Sequence, residues 1–373
     1  MGTYPSTLAP TIVPTPSPTP SPTEPPLPTD AAAAPCLATA VGGPYLRSNG
    51  RVFTCLGHTV QLTGYTFYPA LLGGAKAWHD SKFRSYIDQI LDMGAAAGQN
   101  LVRPTDQWDR NTPGQRYDDA VVWANMDYLV AAARKRGVFV VIDLSAYRWI
   151  LMSRGADPSQ AGAWTPFIDF VAARYADAGN VAFYSIAGEP APPTSQAQKD
   201  QLVAFYSSTS KTLRAADRNH LITVGGFNHM EDSPALGWWQ AIYSLPTNDL
   251  VAFKTYSQHD LELMPSIAAF AASVGKTTVD EEFGMPQGYG DAEFAGGFAY
   301  NGLAIGRAPF FQEVYAEGRN FGVAAFVFWN LGCQTGPTSY EVSPRTPAAW
   351  DDIVRNGVVP PLVGAQGTAS LCD

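Results

Sequence analysis

Basic residues are scarce in this sequence. Lys and Arg number 24 against 33 Asp and Glu, and they form no run. A net charge of −9 excludes the basic footprint of a nucleic-acid or anionic-membrane binder and suits an uncharged partner. No stretch of 18 apolar residues occurs, so no membrane span is expected. Met1 to Pro5 carries neither a basic nor an apolar leader segment. Cysteine is limited to Cys36, Cys55, Cys333 and Cys372, without a C-x-x-C pair or an accompanying His cluster. That speaks against zinc and leaves no metal ligand set. An even count fits two disulfides of an exported protein, and three connectivities are open. We expect Cys36 with Cys55 and Cys333 with Cys372, the alternative being four buried thiols.

Proline, threonine and serine are abundant at one end. Residues 10–29 read PTIVPTPSPTPSPTEPPLPT. Such a chain favours an extended, solvated conformation and cannot bury enough apolar surface to fold. Residues 1–35 are therefore read as a disordered linker, a spacer to a carbohydrate-binding or anchoring module absent from this sequence. Residues 36–373 are read as one domain, with a hydrophobic fraction of 46% for the whole chain, enough for a large core.

The domain opens with YLRSNGRVFT, residues 45–54, where Asn49-Gly50 predicts a two-residue hairpin that forms a small lid. Short β-rich runs then alternate with helical patterns. Candidate strands end near Gly64, Arg103, Asp143, Ile186, Val224, Tyr256, Glu282 and Trp329. Several are continuously apolar, as parallel strands covered on both faces must be. Between them, Phe83, Tyr86, Ile87, Ile90 and Leu91 recur at helical spacing. Asn125 is a candidate cap for a helix to Arg136 that Gly137 ends, Thr165-Pro166 a candidate helix start, and Gln198–Ala216 a further helix. Eight strand–helix units predict an α/β fold, a (β/α)8 TIM barrel with an N-terminal hairpin. A doubly wound open sheet is less favoured, because no Gly-rich phosphate loop follows the first strand.

Functional side chains of such a barrel lie at the C-terminal strand ends. Those ends supply Arg103, Glu189, Lys254, Tyr256, Glu281, Glu282 and Trp329. Two carboxyls facing one another are what cleavage of a glycosidic bond requires: one protonates the leaving oxygen and the other attacks or stabilises the anomeric carbon. Alone, either Glu reads as a solvated or capping residue; the combination with Arg103 and Trp329 carries the inference. Glu281 competes with Glu282, since neighbours on a strand face opposite sides and only one is expected to point inward.

The motifs GQNLVRP, FYSIAGEP, VAFKTYS, TTVDEEFG and AAFVFWNLG together resemble glycoside hydrolase family 5 over roughly residues 45–356. The resemblance implies Glu189 as acid/base, Glu282 as nucleophile, Arg103 and Tyr256 as hydrogen-bond partners of the nucleophile, and Trp329 as a sugar platform. It implies a retaining enzyme that needs no cofactor and acts as a secreted monomer on β-1,4-linked polysaccharide. The mannan-type reading is favoured, with cellulase or another β-1,4-glucanase as the alternative. A barrel that binds polysaccharide without cleaving it, and a surface protein on a proline stalk, are the readings from other classes. Three positions depart from the family pattern: Gly188 in place of Asn, Lys254 in place of His, and Ser145 in place of His. Asn228 and His229 are candidate replacement donors, and Trp108, Trp149, Trp164, Trp238 and Trp239 candidate subsite aromatics.

Overall fold

The computed structural model of the protein describes residues 43–69, 74–105, 118–145, 158–289, 305–358 and 372. The predicted linker, Cys36, Trp108 and Trp149 lie outside them.

Eight parallel strands form the central sheet: β4 (Leu62–Phe67), β5 (Leu101–Pro104), β6 (Phe139–Asp143), β7 (Val181–Ser185), β8 (Leu221–Thr223), β9 (Leu250–Thr255), β10 (Thr277–Phe283) and β11 (Val323–Phe328). Their order is β8-β7-β6-β5-β4-β11-β10-β9. The last gap, between β8 and β9, is spanned by a Phe227–Phe253 bridge and by Lys254 N donating to Phe227 O at 3.0 Å. This is a nearly closed (β/α)8 barrel. All eight strands are buried along their length, which explains the apolar runs in the sequence.

Helices α1 (Phe83–Ala96), α2 (Ala120–Lys135), α3 (Pro158–Tyr175), α4 (Gln196–Ala216), α5 (Trp238–Tyr243), α6 (Gln258–Ser273), α7 (Arg307–Asn320) and α8 (Pro347–Asn356) surround the sheet. The apolar stripe expected on α1 is buried as read. The cap of α2 is Asp119, whose carboxylate accepts from Val121 N and Val122 N; Asn125 lies inside the helix and ties it to Trp78 O at 2.8 Å. Helix α3 begins at Pro158 and carries Pro166 within it, so Thr165-Pro166 is not its start. A proline at the first helical position is the stronger signal, because its missing N–H is unpaired there in any case.

The N-terminal hairpin is a three-stranded antiparallel sheet of β1 (Arg47–Ser48), β2 (Phe53–Cys55) and β3 (His58–Val60). Asn49 N donates to Val52 O at 3.2 Å beyond the Ser48–Phe53 pair, so the two residues of the first turn are Gly50-Arg51 rather than Asn49-Gly50, and Asn49 Oδ1 accepts from Arg51 N and Val52 N to brace it. Leu46, Phe53, Cys55 and Val60 join Leu62, Leu101, Phe139, Leu221 and Leu250, the first residues of five barrel strands, in one apolar cluster. Ser48 also bonds Thr277 at the start of β10. The lid therefore stoppers the floor of the barrel, at the end away from the strand-end carboxyls. Cys333 and Cys372 form the expected disulfide. Cys55 is also disulfide-bonded.

Candidate active site

Glu282 sits on β10 where the strand pairing slips. On the β9 side the register passes from Asp280–Phe253 directly to Glu282–Lys254, leaving Glu281 as an extra residue. This β-bulge overturns the expectation that Glu281 and Glu282 face opposite ways. Both turn into the barrel: Arg103 Nε is 3.6 Å from Glu281 Oε1, and Arg103 NH1 is 2.6 Å from Glu282 Oε2. Asp280 and Phe283 point outward instead, Asp280 to Thr255 Oγ1 at 2.9 Å and Phe283 into Phe311 and Tyr315.

Glu282 is held from three sides. Besides Arg103, Tyr256 OH donates to its Oε1 at 2.6 Å and Lys254 Nζ to its Oε2 at 2.8 Å. Burial would raise its pKa, but the Lys254 and Arg103 charges and the bonds from Lys254 and Tyr256 outweigh that and hold the carboxyl at about 2. Arg103 is fixed in turn by Asp143 Oδ2 at 2.6 Å. Tyr256 is pushed the other way, well above the usual phenol range, by burial and then by the neighbouring Glu282 charge. Glu281, fully buried below, accepts from Gly226 N. Burial is the largest influence on it and raises its pKa, with Arg103 opposing.

Glu189 follows β7 at a φ of 51°. Non-glycine residues in this left-handed region are uncommon and cluster at functional sites. Its side chain is 30% exposed, against 8% for Glu282, so it faces the open side of the pair. Lys254 Nζ donates to Glu189 Oε1 at 2.9 Å as well as to Glu282. One nitrogen thus bridges both carboxylates. Their bonded oxygens are no further apart than those two bonds laid end to end.

The sequence profile of Cellulase (glycosyl hydrolase family 5) matches residues 56–278. The chain belongs to glycosyl hydrolase family 5. This makes it a glycoside hydrolase with a carbohydrate substrate. The match takes in Arg103, Glu189, Lys254 and Tyr256 and stops short of Glu282. No curated protein sequence matches the chain. Solved structures with the same fold include an endo-1,4-β-D-mannanase from Thermotoga petrophila, 15% identical, with a TM-score of 0.61 over 80% of this chain and 99% of that one. An exo-β-1,4-mannosidase from an Opitutaceae bacterium is 14% identical, with a TM-score of 0.65 over 88% and 63% of the two chains. A β-glucanase from Saccharophagus degradans is 17% identical, with a TM-score of 0.59 over 91% and 98%.

In this family 5 barrel the three departures from the family motifs are structurally linked. A Cβ on Gly188 would lie 2.8 Å from Gly226 O, and one on Gly226 would lie 2.8 Å from Glu281 Oε2 and 3.1 Å from Lys254 Cγ. The turns after β7 and β8 are pressed together, leaving no room for an Asn at 188. The Lys254 stem runs along the space that Gly226 leaves. Ser145 Oγ accepts from Gly188 N at 3.3 Å and so supports the turn that carries Glu189.

The remaining sequence candidates divide. Trp329 follows β11 and stacks on Tyr68, ring centroids 5.4 Å apart and planes 28° apart, both rings partly exposed. Asn228 is half-buried, and no hydrogen bond joins it to either carboxylate among the described residues. His229 is exposed and faces Glu231 at 3.9 Å. Trp164, Trp238 and Trp239 are core: Trp164 packs on Phe205, Trp238 on Phe227 and Trp239 on Phe270. Sequence reasoning passed over Tyr68, which the strand-end rule applied to β4 would have found. It also passed over Tyr340, whose ring meets Tyr256 edge-on at 6.1 Å and which lies in a long loop with no local signal. Among the described residues no helix is long and apolar enough to cross a membrane.

Proposed function

We propose that this chain is a retaining β-1,4-glycanase with Glu189 as acid/base and Glu282 as nucleophile. The observation that carries the reading is the single ammonium bonded to both carboxylates at 2.9 and 2.8 Å. It keeps the acids close enough for attack without an intervening water. Retaining hydrolases hold their pair about 5 to 5.5 Å apart, and inverting ones about 6.5 to 9.5 Å.

In the first step the Glu189 proton passes to the glycosidic oxygen. The bond from C1 to that oxygen breaks, and a Glu282 oxygen bonds C1. In the second step water attacks C1 and gives a proton to Glu189, and the ester to Glu282 breaks with net retention. Arg103 and Tyr256 keep Glu282 ionised and aimed. Trp329 with Tyr68 offers an apolar ring face to a sugar, and Asn228 and His229, in the loop after β8, are further sugar-contact candidates. The mechanism calls for no metal or cofactor.

A mannan-type polymer is the favoured substrate, on the E-E-F-G motif and the mannan-active proteins among the fold neighbours. A β-1,4-glucan is the second reading, supported by the glucanase neighbour. Internal cleavage is favoured because a proline-rich spacer, residues 1–35, suits work on insoluble polymer by the domain of residues 36–373. Export of a monomer accords with the paired cysteines.

Assay of mannan, cellulose and xylan, with product anomers followed by NMR, tests the reading. Hydrolysis with retention is expected, and Glu189→Gln and Glu282→Gln are each expected to lose at least about a thousandfold in kcat. Wild type and both variants binding polymer equally with no cleavage by any would establish a non-catalytic barrel instead.

A further inference from the structure

Lys254 stands out in the site because it is a cation placed where a sugar would acquire positive charge. Its ammonium is 4% exposed and comes from β9, in register with Glu282. Arg103 of β5 is already committed to Asp143 of β6 and to Glu281 and Glu282 of β10. The Lys254 ammonium therefore carries the link from this buried network to Glu189. Around Glu189 and this ammonium stand Tyr256 after β9, with Glu282 and Glu281 of β10.

Building on the glycanase reading above, we propose that Lys254 is a positioning residue whose ammonium, bonded to Glu189 and Glu282 together, sets the alkaline limit of turnover. The sign follows from the geometry. A cation 2.9 Å from a carboxylate oxygen stabilises the charged form, so the proton leaves at lower pH. The first step needs that proton in place, so the alkaline limb of kcat/KM lies lower than it would without the ammonium, while the Glu282 charge beside Glu189 acts the other way. In the same step Glu282 becomes an ester and gives up its charge while Glu189 gains one. The ammonium therefore keeps a carboxylate partner throughout, and its stem, lodged against Gly226, need not move.

The test compares wild type with Lys254→Met and Lys254→Gln in the full chain, using 4-nitrophenyl β-mannobioside and β-cellobioside as probes. Thermal melts establish that each variant is folded. The alkaline limb of kcat/KM is expected to move up by about one pH unit or more when the cation is removed. A limb that stays in place while hydrolysis continues overturns the proposal. A second readout needs no turnover: the carboxyl band lost on Glu189→Gln, followed by difference infrared titration, should have a higher midpoint in the Lys254→Met background than with Lys254 present. An unmoved midpoint also overturns it. Wild-type enzyme that hydrolyses neither probe nor any polysaccharide removes the glycanase reading itself, which is a separate failure.

Discussion

Glu282 keeps a charge that its burial would otherwise suppress. Three donors accomplish this, and they are not equivalent. Arg103 and Lys254 bring charge, whereas Tyr256 brings only a hydrogen bond to the other oxygen. Removing that bond should weaken aim and polarisation without unpairing a buried ion. Tyr256→Phe is therefore expected to lower kcat about 10- to 100-fold, the equivalent of about 1.5–3 kcal/mol for a hydrogen bond to a charged group. KM should change little. Steady-state kinetics on the polymer identified by the panel check this, and an unchanged kcat would show that the phenol has no part in holding Glu282. Because Glu282 lies at about 2, below its ordinary value of 4.5, its ion pairs contribute stability above about pH 4.5 that is lost as pH falls towards 2.

Two elements create the site by departing from regularity. The bulge in β10 gives the barrel two adjacent inward acids, and the turns after β7 and β8 meet through Gly188, Gly225 and Gly226. Gly225 has a φ of 119°, and a Cβ there would come 2.3 Å from Gly188 N. Restoring the family's Asn at 188 should thus fail. Gly188→Asn is expected to cost about 1–3 kcal/mol through overpacking, read as a lower melting temperature, and to reduce activity. A gain in activity with an unchanged melt would contradict this packing.

The eight strands were legible in the sequence because several are continuous apolar runs at the spacing of strand–helix units, and functional side chains are sought where such runs end. Glu189, Glu282, Arg103 and Tyr256 could be placed by that rule. The bulge could not, since it arises from pairing between strands distant in sequence, and period-two alternation misassigned Glu281. The loop tryptophans Trp238 and Trp239 were ambiguous because α5, which buries them, has only six residues and shows little periodicity.

At the scale of the whole molecule, the segment after β11 is anchored to the barrel mouth by Glu341. Its Oε2 accepts from Gln334 N at 2.5 Å, and its backbone oxygen receives Gln287 Nε2 at 2.8 Å and Arg307 NH2 at 2.9 Å. The residue is 2% exposed. Burial, opposed by the Gln334 bond, pushes its pKa up to about 7 from an ordinary 4.5. The folded state thus holds this proton more tightly than the unfolded chain. Its stabilising contribution is complete below about pH 4.5 and is lost as pH rises through about 7. Relative to wild type, Glu341→Gln is expected to show a flatter fall in melting temperature across that window. Parallel curves for the two proteins would exclude this residue as a source of pH-dependent stability.

The small sheet of β1, β2 and β3 closes the underside, so the backbone enters the domain at its base. A force applied at Gly43 would thus load the floor of the barrel and spare the rim where the carboxyl pair lies.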